Sequence, residues 1–490
     1  MIQYISTRGG QAPVNFDEAV LRGFAGDGGL FVPQTIPKIS RDRLKALSGL
    51  AYTDLAFEIL SLFIDPGIIS KKELARLIDK SFAGFEHPDI LPLKPLGTDP
   101  SVLIMELFHG PTLSFKDIAM GFLINTMEYL LEKRGEHLTL VLATTGDTGP
   151  AAAHAAAGKK TIDCWPLYPK GMITREQERQ MTTLEAANVH PVGVENCPDG
   201  GDDIDLVVAR LFADPALKQR LNLSSVNSIN WCRVMVQSIH YFYGYFQACD
   251  AIGDPIVFSV PSGACGNLFA GHLARAMGLP ITGFICANNA NKTLHTAFST
   301  GVFKKEDLQQ TLSSAIDIVV PYNFWRFLYF TTGCDPKKIS TWMDQFQKTG
   351  EIRLDPASAA AIGNQVASVS ISDAQTLDTI KSTFTKKDPY LLDPHGAVAV
   401  AAAAALKNTY SPDTRIICLA TAHPAKFPQI MTKALGTDLP DQAFHPSLIR
   451  SSTLCQHLRT CECDHLESAL VHAMDQVAQK KRDPWLIIHT

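Results

Sequence analysis

The sequence predicts an α/β protein with two lobes, each built on a parallel sheet, preceded by a helical N-terminal domain. Three observations predict it. Short apolar, β-rich runs alternate with helical segments through most of the chain, whereas the first 97 residues show helical periodicity instead. The glycine- and hydroxyl-rich stretches fall where a strand gives way to a helix. At 490 residues the chain also exceeds what one hydrophobic core usually serves.

Residues 1–97 contain "RDRLKALSGLAYTDLAFEILSLFI" and "KKELARLIDKSF", apolar at helical spacing, with turn signals such as "AGDGGLFVP". The stretch "HPDILPLKPLGTDP" marks a boundary. Residues 98–250 form the first lobe: "VLIMELF", "LTLVLATT" into "GPAAAHAAAG", "IDCWPLYP" into "REQERQMTTLEAAN", and "VHPVGV". Residues 251–435 form the second, with "PIVFSV" into "GNLFAGHLARAMG", then "ITGFICA", and later "AVAVAAAAALKN" into "RIICLATA". Continuous apolar runs suit strands covered on both faces, and the alanine run 397–405 reads as a buried helix. Residues 436–490 form a C-terminal segment to which the sequence assigns no role.

Composition narrows the function. With 46% hydrophobic and 19% charged residues the chain is too apolar for disorder. A net charge of -5, with scattered cations, gives no basic stripe, which argues against a nucleic-acid partner. No apolar run approaches the ~20 residues that span a bilayer, and "MIQYISTRGG" resembles neither a signal nor a transit peptide. A soluble, cytoplasmic enzyme with no membrane partner is expected, monomeric or homodimeric. Eleven cysteines without a secretory signal read as reduced thiols. The cluster "CQHLRTCECDH" offers Cys455, His457, Cys461, Cys463 and His465, donors soft enough for zinc. Their spacing matches no ligand pattern, so a charged terminal helix without metal is expected there.

Open parallel sheets place ligands outside the carboxyl ends of their strands. After "LTLVLATT" come Thr144, Thr145, Gly146, Asp147, Thr148 and Gly149, leading into a helix; such hydroxyls and free amides suit a carboxylate or phosphate. A helix cap by Asp147 or Thr148 accounts for the loop equally well. After "PIVFSV" comes Pro261-Ser262-Gly263-Ala264-Cys265-Gly266-Asn267. Two glycines three apart let successive amides form an anion nest, which favours phosphate over a plain tight turn. The P-loop and dinucleotide glycine motifs are absent from strand-to-helix positions, as are H-E-x-x-H and G-x-S-x-G.

One lysine stands apart. In "LSFKDIAM", Lys116 lies between Phe115 and Asp117 at the start of an apolar helix, where desolvation lowers an ammonium toward the free amine. A surface lysine paired with Asp117 or Glu106 is the commoner arrangement for any one such residue. Beside a phosphate nest, however, a neutral amine suggests an aldehyde that carries phosphate: pyridoxal 5′-phosphate (PLP), held as a Schiff base.

"ELFHGPTLSFKDIAM", "TTGDTG", "SVNSIN", "VPSGACGN" and "TAHPAKFP", with "STRG", "VNFDEAVLRG" and "GDGGLFVP", resemble in order the threonine synthase family, from about residue 3 to about residue 435. The resemblance implies fold type II, the tryptophan synthase β-like class of PLP enzymes. It implies that Lys116 carries the cofactor and shuttles protons, that Gly263, Ala264, Cys265, Gly266 and Asn267 cradle its phosphate, and that Thr421 faces its ring nitrogen. Thr144, Thr145, Asp147 and Thr148 match the substrate-holding loop, and Asn227 and Arg233, in "VNSINWCRVM", match substrate-side polar residues. The implied activity is that of a carbon–oxygen lyase releasing phosphate from O-phosphohomoserine to form threonine.

The family usually reads Gly-Asn-Phe-Gly where this chain has Gly263-Ala264-Cys265-Gly266. The amides survive; a polar and an aromatic side chain are lost. Small residues there, with "MTTLEAANVH" and "VPYN", resemble the animal threonine-synthase-like proteins. That resemblance implies a catabolic phospho-lyase converting O-phosphohomoserine or O-phosphothreonine to 2-oxobutyrate, ammonia and phosphate. A dehydratase of the same fold type and a PLP-binding protein without turnover are the remaining alternatives.

Overall fold

The computed structural model describes residues 2–97, 99–198 and 200–482. Two sheets organise it. The larger runs, edge to edge, through Val366–Ser370, Gly283–Asn288, Ile256–Pro261, Arg415–Ala420, Asp99–Glu106 and Leu93–Leu96. It is parallel except for Leu93–Leu96, which pairs antiparallel with Asp99–Glu106. The smaller is parallel throughout: Arg459–Glu462, Val192–Glu195, Ile162–Pro169, Leu138–Ala143 and Leu223–Ser224. Strands such as Ile256–Pro261 and Ile162–Pro169 are buried along their whole length, as expected for sheets covered on both faces.

The sheets cut across the expected boundaries in two places. Asp99–Glu106, assigned by sequence to the first lobe, pairs with Arg415–Ala420 of the second, in register from Val102 against Ile416 to Glu106 against Ala420. The C-terminal segment, expected to be a charged helix around its cysteines, instead supplies the edge strand Arg459–Glu462. Pairing at an edge is a backbone matter and needs no apolar periodicity, so "RTCE" gives no strand signal in its side chains. A helix, Leu466–Arg482, follows it.

At the N-terminus, Tyr4–Ser6 pairs antiparallel with Phe31–Pro33. Four helices accompany this ribbon: Phe16–Arg22, Arg41–Leu47, Tyr52–Leu60 and Lys71–Phe82. The last begins where the Ser70 hydroxyl accepts the Glu73 N–H, and it buries Leu74, Leu77, Ile78 and Phe82. The alanine run lies, as expected, in a helix, Pro394–Leu406, that buries Ala397 to Val400.

Three helices fix the site. Trp231–Ala248 is buried nearly end to end and packs against both Lys116–Arg134 and Gly266–Met277. Each begins at one of the motifs singled out above, so packing their barrels together sets the relative positions of those motifs.

Candidate functional site

Lys116 opens its helix because the preceding loop is stitched to the end of Arg415–Ala420. The Leu107 N–H donates to the Ala420 carbonyl at 2.9 Å, the Phe115 N–H to the Thr421 carbonyl at 2.8 Å, and the His423 N–H to the Leu113 carbonyl at 3.0 Å. Leu113 takes a left-handed backbone, φ 59°, to make the turn. The Asp117 carboxyl closes it, accepting from the Thr112 N–H at 2.8 Å and the Thr112 hydroxyl at 2.7 Å. Gly110 passes so close that a Cβ there would lie 2.5 Å from the Asp117 Cβ. Asp117 is therefore committed to the loop, and Glu106 bonds His109 and Tyr390. Glu106 also meets the exposed Lys94 at 3.2 Å, and neither carboxylate forms an ion pair with Lys116 among the described residues.

The Lys116 ammonium sits 4.2 Å from the centre of the Phe115 ring. The residue as a whole is half-buried. Burial first, then the Arg233 guanidinium and the Lys426 ammonium, lower its pKa to about 7, against the pull of Asp147. Burial thus shifts the group toward the free amine.

In the loop after Leu138–Ala143, the Thr144 hydroxyl oxygen accepts the amides of Gly146 (3.1 Å) and Gly149 (2.9 Å), so it shapes the turn. Asp147 precedes the helix Thr148–Ala156 but forms no side-chain cap. Its carboxylate instead meets Lys426 at 2.7 Å and Gln177 at 3.0 Å, with all three side chains buried. Burial pushes the Asp147 carboxyl up, but Lys426, His395 and Gln177 outweigh it and hold the group below its ordinary range. Thr145 and Thr148 are half-buried, Thr145 against the start of the helix Gly201–Ala213.

The second loop has no charged side chain. The amides of Gly263, Ala264, Cys265 and Gly266 donate to no group among the described residues. Cys265 is left-handed, φ 61°, and precedes the helix Gly266–Met277, so consecutive amides are exposed as a nest. The Asn267 carbonyl oxygen Oδ1 is held by His240 (2.9 Å) and the Tyr241 hydroxyl (2.8 Å), while its Nδ2 is buried without a partner among the described residues. Asn323 ties this loop to the motif "SVNSIN": its N–H donates to the Ala264 carbonyl at 3.1 Å and its Nδ2 to the Ser228 carbonyl at 3.2 Å.

Arg233 is 1% exposed and pairs with no carboxylate among the described residues; one nitrogen donates to the Val226 carbonyl at 2.8 Å, and Nε has no partner. Burial lowers its pKa to about 10. Asn227 Oδ1 and Gln180 Oε1 are likewise buried and unpartnered. Folded proteins rarely leave such groups unsatisfied, so these atoms, with Arg233 in electrostatic reach of Lys116, suit a polar ligand site. The amine, the amide nest and the Thr421 hydroxyl, which bonds nothing among the described residues, fit PLP.

Lys116 thus lies within electrostatic reach of Asp147 and Arg233, and the Thr421 carbonyl accepts the N–H of the residue before Lys116. Lys426 was missed by sequence reasoning, although "AKFP" sets a lysine against a phenylalanine just as "SFKD" does. It is fully buried and also donates to the Thr112 carbonyl at 2.9 Å.

Comparison with known proteins gives the same picture. Residues 3–82 match the family described as threonine synthase N terminus, 89–422 that of pyridoxal-phosphate dependent enzymes, and 396–469 that described as threonine synthase, C-terminal. The chain is 37% identical to a threonine synthase of Schizosaccharomyces pombe, covering 94% of this chain and 95% of that protein. It is 39% identical to the human threonine synthase-like 2, covering 93% and 94%. The crystal structure of threonine synthase from yeast superposes with a TM-score of 0.89 at 33% identity, covering 98% of each chain. The PLP-bound threonine synthase from Brucella melitensis gives 0.88 at 34% identity, covering 96% of this chain and 99% of that one.

Proposed function

Because the chain belongs to the threonine synthase family of pyridoxal-phosphate-dependent enzymes, we propose that it is a lyase acting on O-phosphohomoserine, releasing phosphate and forming threonine. The observation that carries this reading is Lys116, an amine held near half-neutral beside a buried guanidinium, Arg233, that no carboxylate of the described residues pairs with.

Bound here, PLP would supply an aldehyde for the amine and an electron-withdrawing ring that acidifies the proton on the substrate α carbon. The amides of Gly263 to Gly266, with Asn267, would hold the cofactor phosphate, and the Thr421 hydroxyl would serve its ring nitrogen. Lys116 moves protons at the α and β carbons, a task that a pKa near the working pH suits. Arg233 and Asn227 bind the substrate's anionic and polar groups. The loop Thr144 to Thr148 orients the amino acid, with Thr145 and Thr148 at its open side and Asp147 fixed by Lys426. Water entering at the β carbon as phosphate leaves from the γ carbon balances the conversion to threonine and phosphate.

A second reading has its own observation. Ala264 and Cys265 leave the nest without the polar and aromatic side chains usual in the family. Without them to position water, the same residues release 2-oxobutyrate, ammonia and phosphate. Incubating purified holoenzyme with O-phosphohomoserine, and separately with O-phosphothreonine, decides between them. Threonine and phosphate from the first substrate are expected. 2-Oxobutyrate from either selects the second reading, and no phosphate from either overturns both.

A further inference from the structure

The sequence cluster "CQHLRTCECDH" takes on a different meaning once folded. Cys455 and His457 lie apart from the others: Cys455 is exposed, and the His457 backbone bonds the Thr182 carbonyl. Cys463, in the turn Cys463–His465, instead meets two residues far off in sequence. The Sγ atoms of Cys197 and Cys463 and a carboxylate oxygen of Asp203 all lie within 4.8 Å of one another. Cys197 follows the strand Val192–Glu195, and Asp203 stands in the first turn of the helix Gly201–Ala213. We propose that Cys197, Asp203 and Cys463 bind a zinc ion that clips the C-terminal segment to the smaller sheet.

The geometry suits that ion. Tetrahedral zinc holds thiolates at about 2.3 Å and carboxylate oxygen at about 2.0–2.2 Å, which puts its ligand atoms roughly 3.5–4 Å apart. The present separations, all within 4.8 Å, exceed those values by at most about 1 Å. Two sulfur donors select a soft, thiophilic ion over calcium or magnesium, which take oxygen. Cys461, on the strand two residues before Cys463, lies outside the triangle, so a water molecule would take the fourth position.

The backbone around the triangle is already set. Glu462 pairs in register with Glu195, and the Asn196 Nδ2 donates to Glu462 Oε2 at 2.8 Å. The strand ladder therefore brings Cys463 to Cys197 without metal, and an ion would find the ligands assembled. Packing beside Val194 and Leu466 accounts for the apolar surroundings of both half-buried thiols, and the Asp203 carboxylate lies within reach of both.

The test uses the full-length holoenzyme, incubated with equimolar zinc, dialysed, and assayed by inductively coupled plasma mass spectrometry. About one zinc per chain is expected, with Cys197→Ser and Cys463→Ser binding at least about 100-fold more weakly, beyond what loss of an outer partner costs. Cys334→Ser, an exposed cysteine elsewhere, should retain zinc. In cobalt-substituted protein a thiolate charge-transfer band should appear and vanish in Cys463→Ser. The absorbance of the bound cofactor, unchanged across the variants, separates loss of the ion from unfolding. Wild type without zinc, zinc retained by the Cys197→Ser/Cys463→Ser double variant, or a Cys197–Cys463 disulfide in the unreduced mass would each overturn the assignment.

Discussion

The loops 144–149 and 261–267 have the same local grammar, a parallel strand that ends in a turn and opens a helix, yet they hold polarity in opposite ways. The first works through side chains: a buried carboxylate, Asp147, is pinned by a buried ammonium, Lys426, at 2.7 Å. The second works through the main chain, with Ala264 and Cys265 contributing no charge and the amides pointing outward. A site built from ionised side chains depends on every partner being present. A nest of amides depends on shape alone, and it tolerates a change of side chain that leaves the backbone where it is.

The largest effect should come from breaking the ion pair. Lys426→Met leaves the Asp147 carboxylate buried with only Gln177 to bond it, and removing one partner of a buried pair typically costs about 3–5 kcal/mol. Urea denaturation should show a loss of that size. The Asp147→Asn/Lys426→Met double variant should recover part of it, because no isolated charge then remains. If the double variant is no more stable than Lys426→Met, the pair is not what holds the first loop, and the contrast with the second collapses.

Next in size is a pH effect at Lys116, the residue between the two loops. Its folded pKa of about 7 lies below the ordinary value of 10.5. In cofactor-free protein this group therefore binds more protons in the unfolded state between pH 7 and about 10.5, and its contribution to stability rises with pH across that window. The penalty is fully present below pH 7 and gone above about pH 10.5. It amounts to a few kcal/mol, on the order of 1.4 kcal/mol per pKa unit before discounting for its partial exposure. Lys116→Met should remove this contribution, read as the wild-type minus variant difference in denaturant midpoint at pH 6.5 and at pH 10, so that other groups titrating there cancel. An unchanged slope would mean that the ammonium is not desolvated.

The sequence displayed these two loops unequally. The amide nest was legible because Gly263, Gly266 and the flanking strand and helix state a backbone geometry directly. Lys116 was legible as a cation among apolar neighbours. Lys426 carried the same signal in "AKFP", but its role depends on Asp147, 279 residues earlier, and no local pattern announces a buried pair that distant. The same limit hid the strand Arg459–Glu462, whose partners are backbone groups of Val192–Glu195. It also hid Asp99–Glu106 crossing into the larger sheet, since an apolar run declares itself a strand without declaring its neighbour.

The smallest effect sharpens the comparison from the side of the second loop. A Cβ on residue 263 would lie 2.9 Å from the Ile316 Cα and 3.1 Å from the Ile318 Cδ1. The nearer obstacle is backbone, which cannot swing aside as a side-chain end can. Gly263→Ala must therefore displace the nest or the segment Ser314–Ile316, and overpacking of this kind costs about 1–3 kcal/mol. Displaced amides should weaken PLP binding as well, measured by cofactor titration of the apoenzyme. Ala264→Ser changes a side chain at the next position without adding backbone conflict, and it should leave that affinity nearly unaltered. If Ala264→Ser impairs binding as much as Gly263→Ala does, the second loop also holds its ligand through side chains. The distinction between the two loops would then be one of charge rather than of mechanism.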